Sequence, residues 1–131
     1  MIGLDTNVLL RLFLEDDPAH TERARRLVAA ATEEGPCVVN SVVLAEFAWT
    51  LARRLKRKRP AVAHLIDEVL SADDLEFPHR DAALNALAAY RAGKADFPDY
   101  LLAEINIELG CASAATFDQD ALDCPAFSPV P

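Results

Sequence analysis

Four acidic residues far apart in the chain carry the chemistry this sequence offers: Asp5, Glu46, Asp99 and Asp118. Residues 2–4 are a short apolar run, suited to a strand buried on both faces of a parallel sheet, and Asp5 stands where that run stops. In open α/β sheets ligands sit beyond the carboxyl ends of the strands, so a carboxylate there faces a crevice. Asp5 is equally readable as the N-cap of a helix over residues 8–14, its oxygen taking a backbone N–H. Glu46 lies one turn into the helix after the second strand, and an ordinary exposed Glu would also stand there. Asp96 and Asp99 open a later helix, with Pro98 in its first turn, and the spacing comes close to a capping box. Asp118 and Asp120 follow the last strand.

The elements that must position these acids alternate strand and helix. Pro18 suits the start of a helix over residues 19–34, with Ala24, Leu27, Val28 and Ala31 on its inner face. Residues 37–40 read as a second strand. Ser41 is placed to cap a helix over 42–55 whose core face is Val43, Leu44, Phe47, Ala48 and Leu51. A helix over 61–70 follows Arg59-Pro60, then a short strand over 75–77. The helix over 81–92 has Leu84, Leu87 and Ala88 inward, and Gly93 stops it. Leu101, Leu102, Ile105 and Leu109 line the helix that Gly110 ends. Residues 112–117 form a last buried strand, and Pro125, Pro129 and Pro131 leave the tail an irregular edge segment at most. This alternation predicts a three-layer α/β/α domain, one unit over residues 1–131, with a short central parallel sheet between helices. Right-handed crossovers then carry the acids to one edge of the sheet. Carboxylates gathered there repel one another unless a cation sits between them. Oxygen ligands without His or Cys suit Mg²⁺ or Mn²⁺. Such an ion can activate water and stabilise charge on a phosphodiester.

Composition narrows the classes. The chain has 131 residues, 52% apolar and 26% charged, which describes a soluble globular domain. No apolar run is long enough for a membrane span and no signal peptide is legible. Three widely spaced cysteines argue against a disulfide framework or a thiolate zinc site; they point to a cytoplasmic protein with at least two buried thiols. The net charge of −8 speaks against a generic nucleic-acid binder, and permits acids around a metal or a basic protein partner. Six of the thirteen basic residues are concentrated in Arg53, Arg54, Lys56, Arg57, Lys58 and Arg59. That run is either a solvated helix end or a set of phosphate contacts.

The sequence resembles the PIN-domain ribonucleases, and comes close to their toxin branch, VapC. The likeness rests on Ile-Gly-Leu-Asp5-Thr-Asn7-Val-Leu-Leu-Arg, Val-Leu-Ala-Glu46-Phe, Ala-Asp96-Phe-Pro-Asp99-Tyr-Leu-Leu-Ala and Ala-Thr116-Phe-Asp118-Gln-Asp120-Ala, in that order, over nearly the whole chain. Each motif alone is weak; the four in order within one domain are specific. The resemblance implies an acidic pocket of Asp5, Glu46, Asp99 and Asp118, with Asp5, Asp99 and Asp118 as ligands of Mg²⁺ or Mn²⁺. Thr6, Asn7 and Thr116 would be supporting polar residues, joined by Asp96 and Asp120. Leu-Leu-Ala-Glu104 departs from the small apolar residues usual after that Asp, which touches helix packing more than the pocket. It further implies an endoribonuclease cutting structured RNA such as tRNA or rRNA, dimeric, and silenced as a type II toxin by a VapB-type antitoxin. Two rivals remain. One is a PIN-like module that binds RNA or protein without cutting. The other is a Mg²⁺-dependent phosphatase with an aspartyl nucleophile, which wants an acid two residues after Asp5, where Asn7 stands.

Overall fold

The structure, a computed structural model, describes residues 1–131. Residues 2–4 run extended beside strand β1 (Cys37–Val38): the Leu4 amide donates to the Val38 carbonyl at 2.9 Å, and Val38 donates to Ile2 at 2.8 Å. Only Gly3 forms a bridge, to Val38 in parallel sense, so the predicted first strand is a single rung. On the other side β1 pairs in parallel with β2 (Leu75–Glu76), Cys37 opposite Leu75. A second parallel pair joins β3 (Ala114–Thr116) to β4 (Phe127–Pro129), Ala114 opposite Phe127. The proline-rich tail is therefore a strand. Pro129 is tolerated because an edge strand can lack one amide donor.

Six α-helices flank these short strands in an α/β domain: α1 (Thr6–Leu14), α2 (Pro18–Ala31), α3 (Ser41–Trp49), α4 (Arg59–Leu70), α5 (Arg80–Ala92) and α6 (Phe97–Glu108). The cap of α3 is Asn40, whose Oδ1 accepts from the Val43 amide at 3.0 Å; Ser41 is the first helical residue. The helix predicted over 42–55 changes character at Thr50. Residues Thr50–Arg54 form a π-helical turn in which the Leu55 amide donates to the Thr50 carbonyl, five residues back. A turn of this kind inserts one residue and rotates the side chains beyond it about the helix axis. Lys56 then takes a left-handed conformation and the chain turns into α4.

The core is continuous across the helices. Leu9, Phe47, Leu51, Ile66, Phe97 and Tyr100 are fully buried in it, with Phe13 edge-on to Phe47 and Tyr90 edge-on to Phe97. Several predicted inward residues face out instead. On α5 the buried set is Ala82, Ala83, Ala86, Leu87 and Tyr90, while Leu84 and Ala88 are exposed. Leu27, Leu102 and Leu109 are exposed as well. Among the thiols only Cys37 is buried, and burial pushes it above the ordinary thiol range; Cys111 is exposed and Cys124 half-buried. No helix is long and apolar enough to cross a membrane.

Candidate active site

Asp5 occupies the position between the extended residues 2–4 and α1, and its Oδ1 accepts from the Val8 amide at 3.0 Å. It is thus an N-cap, and it is also exposed. A cap uses one carboxylate oxygen, and Oδ2 has no protein partner. Asp5→Asn should keep the cap and lose only the charge–dipole attraction, about 0.3–1 kcal/mol. Asp5→Ala should lose the hydrogen bond too, about 1 kcal/mol more. Thermal melting of the two variants separates the structural role from any use of the charge, since cleavage by a site that needs the carboxylate falls in both.

Glu46 is exposed on the second turn of α3, between buried Leu44 and Phe47. Thr6 opens α1, and Asn7 follows it, exposed. Beyond β3, the Thr116 hydroxyl accepts from the Asp118 amide at 3.0 Å, and Asp118 Oδ1 accepts from the Asp120 amide at 2.9 Å. Thr116 and the Asp120 backbone therefore fix Asp118 at the end of the strand.

Asp96 and Asp99 behave differently from each other. Asp96 stands at the N-cap position of α6 but makes no side-chain cap bond. Its Oδ2 instead takes Nε and Nη2 of Arg53, at 3.2 and 2.6 Å, across 43 residues of chain. The π-helical turn delivers Arg53 to that position. The ion pair holds the Arg53 guanidinium above its ordinary pKa. Asp99, in the first turn of α6, is half-buried, and burial raises its carboxyl above the ordinary value of 3.8. The charges of Asp96 and Asp118 push the same way, against a hydrogen bond to the Asp96 backbone and the attraction of Arg53. Asp96, Asp99, Asp118 and Arg53 thus share one electrostatic neighbourhood.

The predicted convergence goes no further than that. No three His, Cys, Asp or Glu side chains lie close enough to hold one ion between them. The local bonds explain part of this, because Asp5 is turned onto the Val8 amide and Asp118 onto the Asp120 amide. The donor chemistry still fits a hard cation: every candidate side chain offers oxygen. Mg²⁺ keeps several waters and needs only one or two carboxylates, which an open set supplies.

The basic run divides. Arg59 donates to the Tyr90, Lys94 and Ala95 carbonyls at 2.6, 3.3 and 2.8 Å and lies over the Tyr90 ring at 4.0 Å. Arg53 is committed to Asp96, whereas Arg54, Lys56, Arg57 and Lys58 are exposed and form no ion pair. Sequence reasoning missed another basic set, Arg11, His20 and Arg23, which lines a groove of about 540 Å³ with Asn7. Its signal was available: Asn7 and Arg11 are four apart on α1, and His20 and Arg23 three apart on α2, so each pair shares a helix face.

The fold and its exposed acids define an α/β domain with a carboxylate-bearing surface site. Over residues 2–126 the sequence matches the PIN domain family, and the chain belongs to that family. PIN domains are commonly nucleases, and those nucleases typically use divalent metals. Among curated proteins no sequence match is found.

Proposed function

We propose that this PIN domain is a Mg²⁺- or Mn²⁺-dependent endoribonuclease. The observation that carries the reading is Asp99. A half-buried carboxylate in the field of two further acids is costly to keep ionised, and a cation between them removes that cost. Asp5, Asp99 and Asp118 would bind the ion directly or through its waters, with Glu46 orienting the attacking water. Thr116 fixes Asp118, and Arg53 keeps the Asp96 charge paired. When bound, the ion supplies an activated water and stabilises charge on the phosphodiester. Exposed Arg54, Lys56, Arg57 and Lys58 suit RNA phosphates, because they have no partner within the chain.

The role we infer is that of a VapC-type toxin, dimeric, acting on a structured RNA such as tRNA or rRNA in the cytoplasm. The net charge of −8 supports pairing with a basic VapB-type antitoxin segment. The decisive experiment incubates purified protein with total RNA in Mg²⁺, in Mn²⁺ and in chelator, then maps the 5′ ends of the fragments. Discrete metal-dependent cuts are expected, suppressed by the product of a small adjacent gene. RNA that binds intact under all three conditions would instead establish a non-cutting RNA-binding module.

A further inference from the structure

A groove of about 540 Å³ lies between α1 and α2, and none of the proposed catalytic acids lines it. Its polar wall is Asn7, Arg11, His20 and Arg23, and its apolar wall includes Val8 and Leu27. No carboxylate lines it, on a chain that carries a net −8. Arg11 and His20 are held from outside the groove: Arg11 by Asp16 at 2.9 Å, and His20 through Nδ1 by Asp17 at 2.6 Å. His20 Nε2 and the whole Arg23 guanidinium have no partner. Leu27 is 43% exposed, an apolar surface left open beside these groups. One end of the groove adjoins the candidate site, because Val8 both lines the groove and donates its amide to Asp5.

We propose that this groove seats the RNA strand next to the bond that is cut. Its phosphates lie on Arg11, Arg23 and His20, and a ribose or base lies against Val8 and Leu27. An anionic chain with apolar faces matches both walls; an apolar peptide would leave the Arg23 guanidinium unpaired. The inference rests on the nuclease reading for its direction from Asp5, but the groove can be tested without cleavage.

The test measures binding of a short labelled single-stranded RNA in chelator by fluorescence anisotropy, across a salt series. Removing one phosphate contact flattens the slope of log K against log salt by about 0.7, equivalent to roughly fivefold weaker binding near 0.1 M salt. Arg23→Ala should show that loss for RNAs of unrelated sequence. It should fold normally, since Arg23 is exposed on a helix and Ala is the better helix former; melting curves check this. Arg26→Ala, which removes a cation of the same helix that pairs with Glu22 and does not line the groove, should leave affinity unchanged. Unchanged affinity and slope in Arg23→Ala overturn the proposal, as does an equal loss in Arg26→Ala. Loss of binding to a protein partner with RNA affinity intact overturns it too, and makes the groove a protein interface. If wild type binds RNA through Arg23 but never cuts it, the nuclease reading falls and the groove stands. If wild type cuts and Arg23→Ala binds unaltered, the groove alone falls.

Discussion

Asp99→Asn should lower RNA cleavage by about 10²- to 10⁴-fold, the contribution of one well-positioned catalytic group, while leaving the metal-free protein at least as stable as wild type at neutral pH. The two effects have one origin. Burial and the charges of Asp96 and Asp118 raise the Asp99 carboxyl above 3.8, so the folded chain binds its proton more tightly than the unfolded chain. Stability then falls as pH rises from about 3.8 through the raised folded value, because the folded state holds the extra proton. Above that value the ionised side chain opposes folding. Asparagine keeps the shape and removes the charge, so the stability of the variant relative to wild type should rise between about pH 3.5, below the ordinary value of 3.8, and pH 8. Added Mn²⁺ should restore wild-type stability by mass action, roughly 2.7 kcal/mol at a hundred times the dissociation constant, and should help the variant less. Initial cleavage rates and melting curves, in chelator and in Mn²⁺ at both pH values, check each part. Full cleavage by the variant removes Asp99 from the chemistry. A chelated variant that melts below wild type at pH 8 means that the Asp99 carboxylate is mainly structural.

The legibility of this chain depends on the sequence distance over which each interaction acts. The helices were readable because their signals are local, such as the Asp5 cap and the Pro18 start. The inner face of α5 was not, because alanines surround Leu84, Leu87 and Ala88, and stripes one residue apart look alike; Tyr90 decides for the other stripe. Two- and three-residue strands carry too little pattern for a period, and β4 exists only because β3 lies beside it. Ser41 and Asn40 are both good caps, and the Val39 amide, bonded to Glu76 in the β2 pairing, leaves the next residue to turn into the helix. Within the site, the acids were named from the sequence and their surroundings were not. The Arg53–Asp96 pair joins residues 43 apart and involves a π-helical turn, so no local spacing announces it.

Gly93→Ala should destabilise the protein by about 2–3 kcal/mol, roughly a 10 °C fall in Tm. The cause is a contact and not a special backbone angle: φ at Gly93 is −107°, open to any residue. A Cβ there would overlap Tyr100 Oη and lie 2.9 Å from Tyr100 Cζ and 3.0 Å from the Ala89 carbonyl oxygen. The tyrosine is anchored at both its ring and its hydroxyl. It is wholly buried, edge-on to Phe127, and its Oη accepts from the buried Ala95 amide at 3.1 Å. Residues 94–96 are held from the other side by Arg59 on the Lys94 and Ala95 carbonyls. An intruding methyl group therefore strains the loop that leads into Asp96 and Asp99, and cleavage should fall along with stability. Tyr100→Phe alone should cost about 1–3 kcal/mol by leaving the Ala95 amide without its acceptor. In the double variant the hydroxyl that meets the new methyl is gone, so the combined loss should be smaller than the sum, though Cζ still crowds it. Additive losses would place the strain elsewhere than on the tyrosine hydroxyl. An unshifted melting curve for Gly93→Ala would show that the loop before α6 yields freely, and that this packing does not fix the position of Asp99.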